Sequence, residues 1–335
     1  MSITNLQCLG VCDAGQVAAS GVTGMCSAFS WTPATGAWDY KIVITGSGAD
    51  SAYTYTAPII SPWSGNPGAY IINNGLQGCA FVNDSAKTLV RGVTYTATLT
   101  FSTVKPTAGY TPSYSGSVTV TFSLGATTVG ICPLLPAGDQ STGLIRLLVD
   151  KGAQSSATSV TVTCTQSIPS VTRLFGTAGS VFVTLATTAG RFDPTLSYTA
   201  TAAVSGATNG TYSFYGPIQQ NTFGTPTVGA TSITVPWTPG VGTGTSAAKP
   251  FQTWMLYNDT TGAWVSTAVL SATTATVTIS SGITNGNSYI LYLWPMNSNG
   301  INGTDNGHYL TFVAGGSGTA AQFGINGWFF SPLQA

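Results

Sequence analysis

Apolar and polar residues alternate strictly in two stretches near position 100. Tyr95, Ala97, Leu99 and Phe101 are separated by threonines, and Val118, Val120, Phe122 and Leu124 by Thr or Ser. A period of two turns successive side chains to opposite faces, so each stretch reads as a half-buried strand. Shorter runs of the same character recur at Tyr40–Ile44, 52–57, Cys79–Val82, Leu144–Val149, Val160–Cys164, Val181–Leu185 and after Tyr198. They continue at 231–237, 251–257, 263–270, 273–280, 288–295 and 308–313. Gly, Pro, Ser, Asn or Asp bounds each run, and Asn258–Gly262 reads as a hairpin turn. The run 144–149 could coil in isolation, yet it is about half the length of an ordinary helix. The pattern predicts an all-β chain.

Two further spacings group the strands. An apolar residue, five intervening positions and a Tyr occur at Leu89 to Tyr95, Phe192 to Tyr198 and Ile283 to Tyr289, each running into a strand. Such a Tyr at the start of a late strand bonds its hydroxyl back to the chain just upstream, as a structural corner of a β-sandwich. Three corners predict three sandwiches, and 335 residues suffice for three units of about 100 residues with a tail. Ser27–Pro33 also aligns with Ile233–Pro239, placing Phe29 with Trp31 on one face and Val235 with Trp237 on another. No Trp marks the middle unit.

The expected organisation is therefore 1–126, 127–218 and 219–314, followed by a Gly linker and docking tail at 315–335. Residues 219–314 resemble a fibronectin type III domain, through the Trp237 strand, the Ile283 to Tyr289 step and the Asn297–Gly300 end. The first two units look like looser, immunoglobulin-like relatives. The resemblance implies three tandem immunoglobulin-like or fibronectin III-like β-sandwiches with a C-terminal aromatic tail. Ala97, Ala200 and Leu291 lie two positions after the corner tyrosines, where antibody-type domains carry Cys.

Composition narrows the function. Charged residues are 5% of the chain, Glu is absent, and nine cations balance nine carboxylates. No basic patch can form from so few scattered cations, which argues against nucleic acid and anionic membranes as partners. No apolar run reaches the roughly 20 residues of a membrane span, and no secretory signal is expected at Met1. A neutral surface of hydroxyls and amides suits molecules packed side by side in an array.

Catalytic chemistry has little to draw on. His308 is the single histidine, and Asp305 with nearby hydroxyls could be drawn as a triad, but no GxSxG elbow supports it. Gly240–Gly244 lacks the Lys-Ser/Thr pair and following helix of a phosphate loop. Asn83, Asn209, Asn258 and Asn302 each begin an Asn-x-Ser/Thr sequon of the kind a Thr-rich chain accumulates by chance. No cofactor and no metal are expected. The six cysteines lack metal-ligand spacing. Pairing of Cys132 with Cys164 and of Cys26 with Cys8 or Cys12 competes with free, buried thiols.

Aromatic residues carry the binding hypotheses. Ile290, Tyr292 and Trp294 share the parity opposite the expected core face, and Trp254 and Trp264 on adjacent strands could join them as a protein-contact or glycan platform. Phe323, Ile325, Trp328, Phe329, Phe330 and Leu333 form an apolar tail that either folds back on its own third unit or docks on a neighbour as an assembly tail. The first expectation is a non-enzymatic structural protein of a virus or phage particle, a surface, decoration, tail or fibre component. Its partners would be other structural subunits in a homo-oligomer or larger assembly. The alternatives are a secreted or surface module binding host glycan, and a subunit of an extracellular filament.

Overall fold

The computed structural model describes residues 2–15, 22–32, 34, 39–59, 78–104, 111–134, 145–177, 179–188, 192, 196–215, 222–238, 251–270, 276–296, 307–316 and 322–326. Strands follow the Thr-, Val- and Tyr-rich runs, as β-branched and aromatic side chains favour. The only other regular element among these residues is a short 3-10 turn at Gly48–Asp50.

The first unit contains β1 (Thr4–Asp13), β2 (Met25–Thr32), β3 (Asp39–Thr45), β4 (Thr54–Ile59), β5 (Gly78–Asp84), β6 (Thr94–Ser102) and β7 (Tyr114–Ser123). Its first, second and fifth strands pair as β1-β2-β5, and the rest form a facing sheet in the order β4-β3-β6-β7. The second unit repeats this plan with β8 (Ile131–Pro133), β9 (Ile145–Asp150), β10 (Ser159–Cys164), β11 (Val171–Leu174), β12 (Ser180–Leu185), β13 (Ser197–Ala203) and β14 (Gly210–Tyr215). Its sheets run β8-β9-β12 and β11-β10-β13-β14.

In the third unit the first strand is split into β15 (Thr222–Phe223) and β16 (Thr227–Val228), which both lie along β17 (Ile233–Thr238). β17 also pairs with β20 (Thr276–Ile279). Opposite them β19 (Ala263–Leu270), β18 (Phe251–Asn258), β21 (Ser288–Met296) and β22 (Gly307–Val313) form the second sheet, extended by β23 (Gln322–Asn326). All of these strand pairings are antiparallel. The fold is all-β, an immunoglobulin-like sandwich plan used three times.

Each sandwich has its own core. Phe29, Trp31, Tyr40, Tyr95 and Phe122 are buried in the first. In the second, Leu147 and Val149 on β9 belong to the core, as Trp31 on β2 and Trp237 on β17 do in the first and third. The corner tyrosine meets a cross-strand Phe in all three: Tyr95 opposite Phe122, Tyr198 opposite Phe214 and Tyr289 opposite Phe312. These pairs stack with ring centroids 5.6, 5.4 and 5.3 Å apart. A directly opposed aromatic pair is a unit of sheet stabilisation.

The first two sandwiches are joined through their first strands. β1 pairs with β8 at Val11 and Ile131, so the two three-stranded sheets merge into one six-stranded sheet, β12-β9-β8-β1-β2-β5. The third sandwich's described strands pair only among themselves.

Candidate functional site

The seam between β1 and β8 brings together Asp13, Arg91 and Asp150, three buried thiols and an open cleft. Its backbone is set by a recurrence, Gly10-Val11-Cys12 in β1 and Gly130-Ile131-Cys132 at β8. Val11 belongs to the first core and Ile131 to the second, so the paired residues point into different sandwiches. The glycines permit the close crossing. A Cβ on Gly10 would lie 2.3 Å from the Ile131 carbonyl oxygen, and one on Gly130 would lie 2.8 Å from the Cys12 Cα and closer still to the Asp150 carboxylate.

Asp150, at the end of β9, ties the crossing together. Its Oδ1 accepts from the Gly130 and Gly152 amides, each at 2.8 Å, and from Arg91 Nη2 at 2.7 Å, while Oδ2 accepts from the Asp13 amide at 2.8 Å. Arg91 sits in the corner loop of the first sandwich and also donates to the Thr128 carbonyl of the second. Asp13 continues the network, accepting from the Gly15 amide at 2.9 Å and the Leu89 amide at 3.2 Å. Burial raises the Asp13 pKa above the ordinary carboxylate value, and its two backbone donors partly offset this. Ser180 of β12 adds a bond to the Ala14 carbonyl at 2.7 Å. A buried carboxylate with this many donors anchors strands; its charge is neutralised inside the seam.

A second polar cluster supports the first corner. The Tyr95 hydroxyl accepts from the Val90 amide at 3.1 Å and donates to Asp50 at 2.9 Å, and Lys87 pairs with Asp50 at 2.6 Å. In the third unit the Tyr289 hydroxyl accepts from the Thr284 amide at 2.7 Å and donates to the Gly282 carbonyl at 3.3 Å. Tyr198 is buried and packs on Phe192. Hydroxyl bonds thus tie the corners at Tyr95 and Tyr289, and none of the three tyrosines lines the cleft.

The cysteines depart from the expected pairing. Cys8, Cys12, Cys26, Cys132 and Cys164 are free thiols. Cys132 lies out of phase with Ile131, on the face of the six-stranded sheet away from the second core, whereas Cys164 packs against that core. The two therefore occupy different layers and cannot meet. Cys26 does stand opposite Cys12 in register, but as a thiol neighbour, while Cys8 stands opposite Phe29 and packs against the first core. Cys12, Cys26 and Cys132 are fully buried together with Ala28 and Leu148. Burial pushes the Cys8 thiol up to about 12 and raises Cys12 and Cys132, and the neighbouring Cys12 thiol together with burial raises Cys26. Asn83, the first sequon residue, is engaged here, donating to the Thr23 carbonyl at 2.7 Å and to Cys26 Sγ at 3.2 Å.

The aromatic platform is also revised. Trp254 stands opposite Leu293 and is buried in the third core with Leu256 and Leu291, so it faces inward. The register of β18 against β21 fixes this parity: Leu256 meets Leu291 on the same face, and Tyr257 meets Ile290 on the other. Ile290 on that face is only 2% exposed, so it offers no open contact surface. Trp264 stands opposite Tyr257 in register; the side chains of Trp264, Tyr292 and Trp294 lie outside the described residues. The tail segment bearing Phe323 and Ile325 is β23, which pairs with β22 of the same chain, Phe323 opposite Leu310 and Ile325 opposite His308. That part of the tail completes its own sheet rather than a neighbour's. Trp328, Phe329, Phe330, Leu333 and the Gly240–Gly244 loop lie outside the described residues.

The cleft was not signalled by any motif. It measures about 560 Å³ and is lined by residues 7–11 of β1, residues 120–123 of β7 with Leu124 just beyond it, and Thr128, Val129, Ile131 and 209–211 from the second sandwich. No charged side chain lines it. Among the described residues no group of three or more His, Cys or Asp could hold a metal ion, and no helix is long and apolar enough to cross a membrane.

No family model matches the chain, and no curated protein matches it. Among solved structures it is similar to the chicken CNTN1 FN1–FN3 domains, at 11% identity over 94% of this chain and 99% of that one, with a TM-score of 0.24.

Proposed function

We propose that the protein is a non-enzymatic structural component of a virus or phage particle, a surface, decoration, tail or fibre element that works through assembly contacts with other subunits. The observation that carries this reading is the merged sheet: two sandwiches share six strands and a buried Arg91–Asp150 pair, which makes a stiff spacer rather than beads on a flexible string. Threonines in register favour the same role. Thr54, Thr45, Thr96 and Thr121 form one row across the outer face of the first sandwich, and Thr163, Thr201 and Thr211 form one across the second. Such a surface is hydrated and uncharged, so copies can pack closely without mutual repulsion. Antibody labelling of purified particles by electron microscopy tests the reading. Regular decoration at a fixed site supports it, and particles whose protein inventory by mass spectrometry lacks the chain refute it.

A further inference from the structure

The seam cleft is flanked by strand edges, not strand faces. Five consecutive residues of β1 and four of β7 line it, and consecutive residues alternate faces, so only an edge-on strand can present all of them. β7 pairs with β6 on one side and with no other strand among the described residues. β1 carries register shifts between Thr4 and Gln7 and between Cys8 and Gly10, and meets β8 at Val11 alone. In the second sandwich the equivalent place is closed, because Thr128 bridges Thr208 in parallel and the Val129 amide donates to the Thr208 carbonyl at 2.8 Å. The first sandwich leaves that pairing unmade.

Exposed edges are ordinarily blunted by charge or proline. Edge strand β4 carries Pro58 and edge strand β11 carries Arg173, whereas β7 has neither over its ten residues. Its bulge against β6 and the left-handed Gly116 lie towards its first half, leaving 118–123 regular. A long, uncharged, unblunted edge beside an uncharged cleft is the form taken by acceptors of an added strand. A sugar is less well served: Phe122 is the one aromatic residue in the lining and its ring is packed in the first core, so no flat aromatic surface faces the cleft.

We infer that the cleft edge of β7 is a strand-acceptor site and that its occupant is segment 327–335 of a second copy of this chain. The segment reads Gly-Trp-Phe-Phe-Ser-Pro-Leu-Gln-Ala, with no charged side chain to desolvate in a lining that offers no counter-charge. It follows β23, whose pairing with β22 anchors the preceding residues on their own sandwich. Trp328, Phe329 and Phe330 supply the apolar area that an extended segment needs to add to main-chain bonding. This inference rests on the assembly reading and names the contact that assembly uses.

The test combines sedimentation velocity of the full chain with binding of a synthetic peptide of sequence 327–335. Self-association of the full chain should be weakened about tenfold or more by deleting 327–335 and equally by Thr121→Lys, an exposed position at which a lysine blunts the edge. The peptide should bind the truncated protein one to one, protect the amides of 120–124 from hydrogen exchange, and lose binding in Thr121→Lys and in the companion variant Thr211→Lys. A circular dichroism spectrum identical to the parent's certifies that each variant is folded. Peptide protection elsewhere, or self-association undiminished by the deletion, overturns the inference while leaving the structural role standing. A full chain that stays monomeric and ignores the peptide overturns it as well; the structural role itself fails only if particles lack the protein.

Discussion

The corner tyrosines Tyr95 and Tyr289 are small devices with several bonds each. Tyr289 is 1% exposed, its hydroxyl accepts from Thr284 and Asn258, and its ring stacks on Phe312. Phenylalanine at 289 would keep the stack and remove every hydroxyl bond, leaving the Thr284 amide and the Asn258 side chain short of a partner inside the protein. Unsatisfied buried donors cost about 1–3 kcal/mol, so Tyr289→Phe should lower the unfolding free energy by that much, read as a lower urea midpoint at an unchanged slope. A variant within error of the parent would mean that water replaces the hydroxyl. The corners were legible from sequence because the spacing to the upstream apolar residue is local and repeats three times. The Tyr–Phe stacks were not, because each Phe lies on another strand at a loop-dependent distance, 27 positions on from Tyr95 but 16 on from Tyr198. The third-unit platform lost Trp254 for a related reason. Both faces of β21 are apolar, so only the pairing partner of Trp254, Leu293, decides which way the tryptophan points.

Strand by strand, periodicity located most elements, since a period of two is written in the residues themselves, but it passed over β1, β8, β11, β14, β15, β16 and β23. What pairs with what is not written there. The seam depends on Gly10 and Gly130, which look like ordinary loop glycines until a second strand is brought against them, and on Asp150, whose donors come from residues as far apart as Asp13 and Gly152. Only the recurrence Gly-Val-Cys and Gly-Ile-Cys, 120 positions apart, could have hinted at two matched first strands. The network has a pH signature. Burial raises the Asp13 pKa in the folded state above its unfolded value of about 3.9, so the folded protein holds that proton more tightly. Stability from this group is fully present below the unfolded pKa and is lost as pH rises through the folded one. Asparagine at 13 cannot ionise, and it forgoes one backbone acceptor at every pH. The stability of Asp13→Asn relative to the parent should therefore be lowest near about pH 3 and increase towards about pH 7. Urea midpoints at the two pH values decide the matter, and an unchanging difference would show that Asp13 titrates as it does in the unfolded chain.

At the scale of the whole molecule the merged sheet sets the cooperativity. Three independent sandwiches would unfold as three units, as in arrays whose neighbours touch only through linkers. Here the first two share backbone pairing at Val11 and Ile131, the bonds from Arg91 to Asp150 and Thr128, and the bond from Ser180 to Ala14. The third has its own core and its own strand pairings. Calorimetry should accordingly resolve two transitions, the larger from the fused pair. Removing one partner of a buried ion pair costs about 3–5 kcal/mol, because the other charge is left unmatched. For a unit of this size that corresponds to a fall on the order of 10 °C in the midpoint. Asp150→Ala should lower the larger transition by that amount, broaden or split it as the two sandwiches uncouple, and leave the smaller transition in place, since distant independent sites do not interact. If both transitions moved together, the third sandwich would belong to the same cooperative unit, and the stiffness attributed to the first pair would extend along the whole chain.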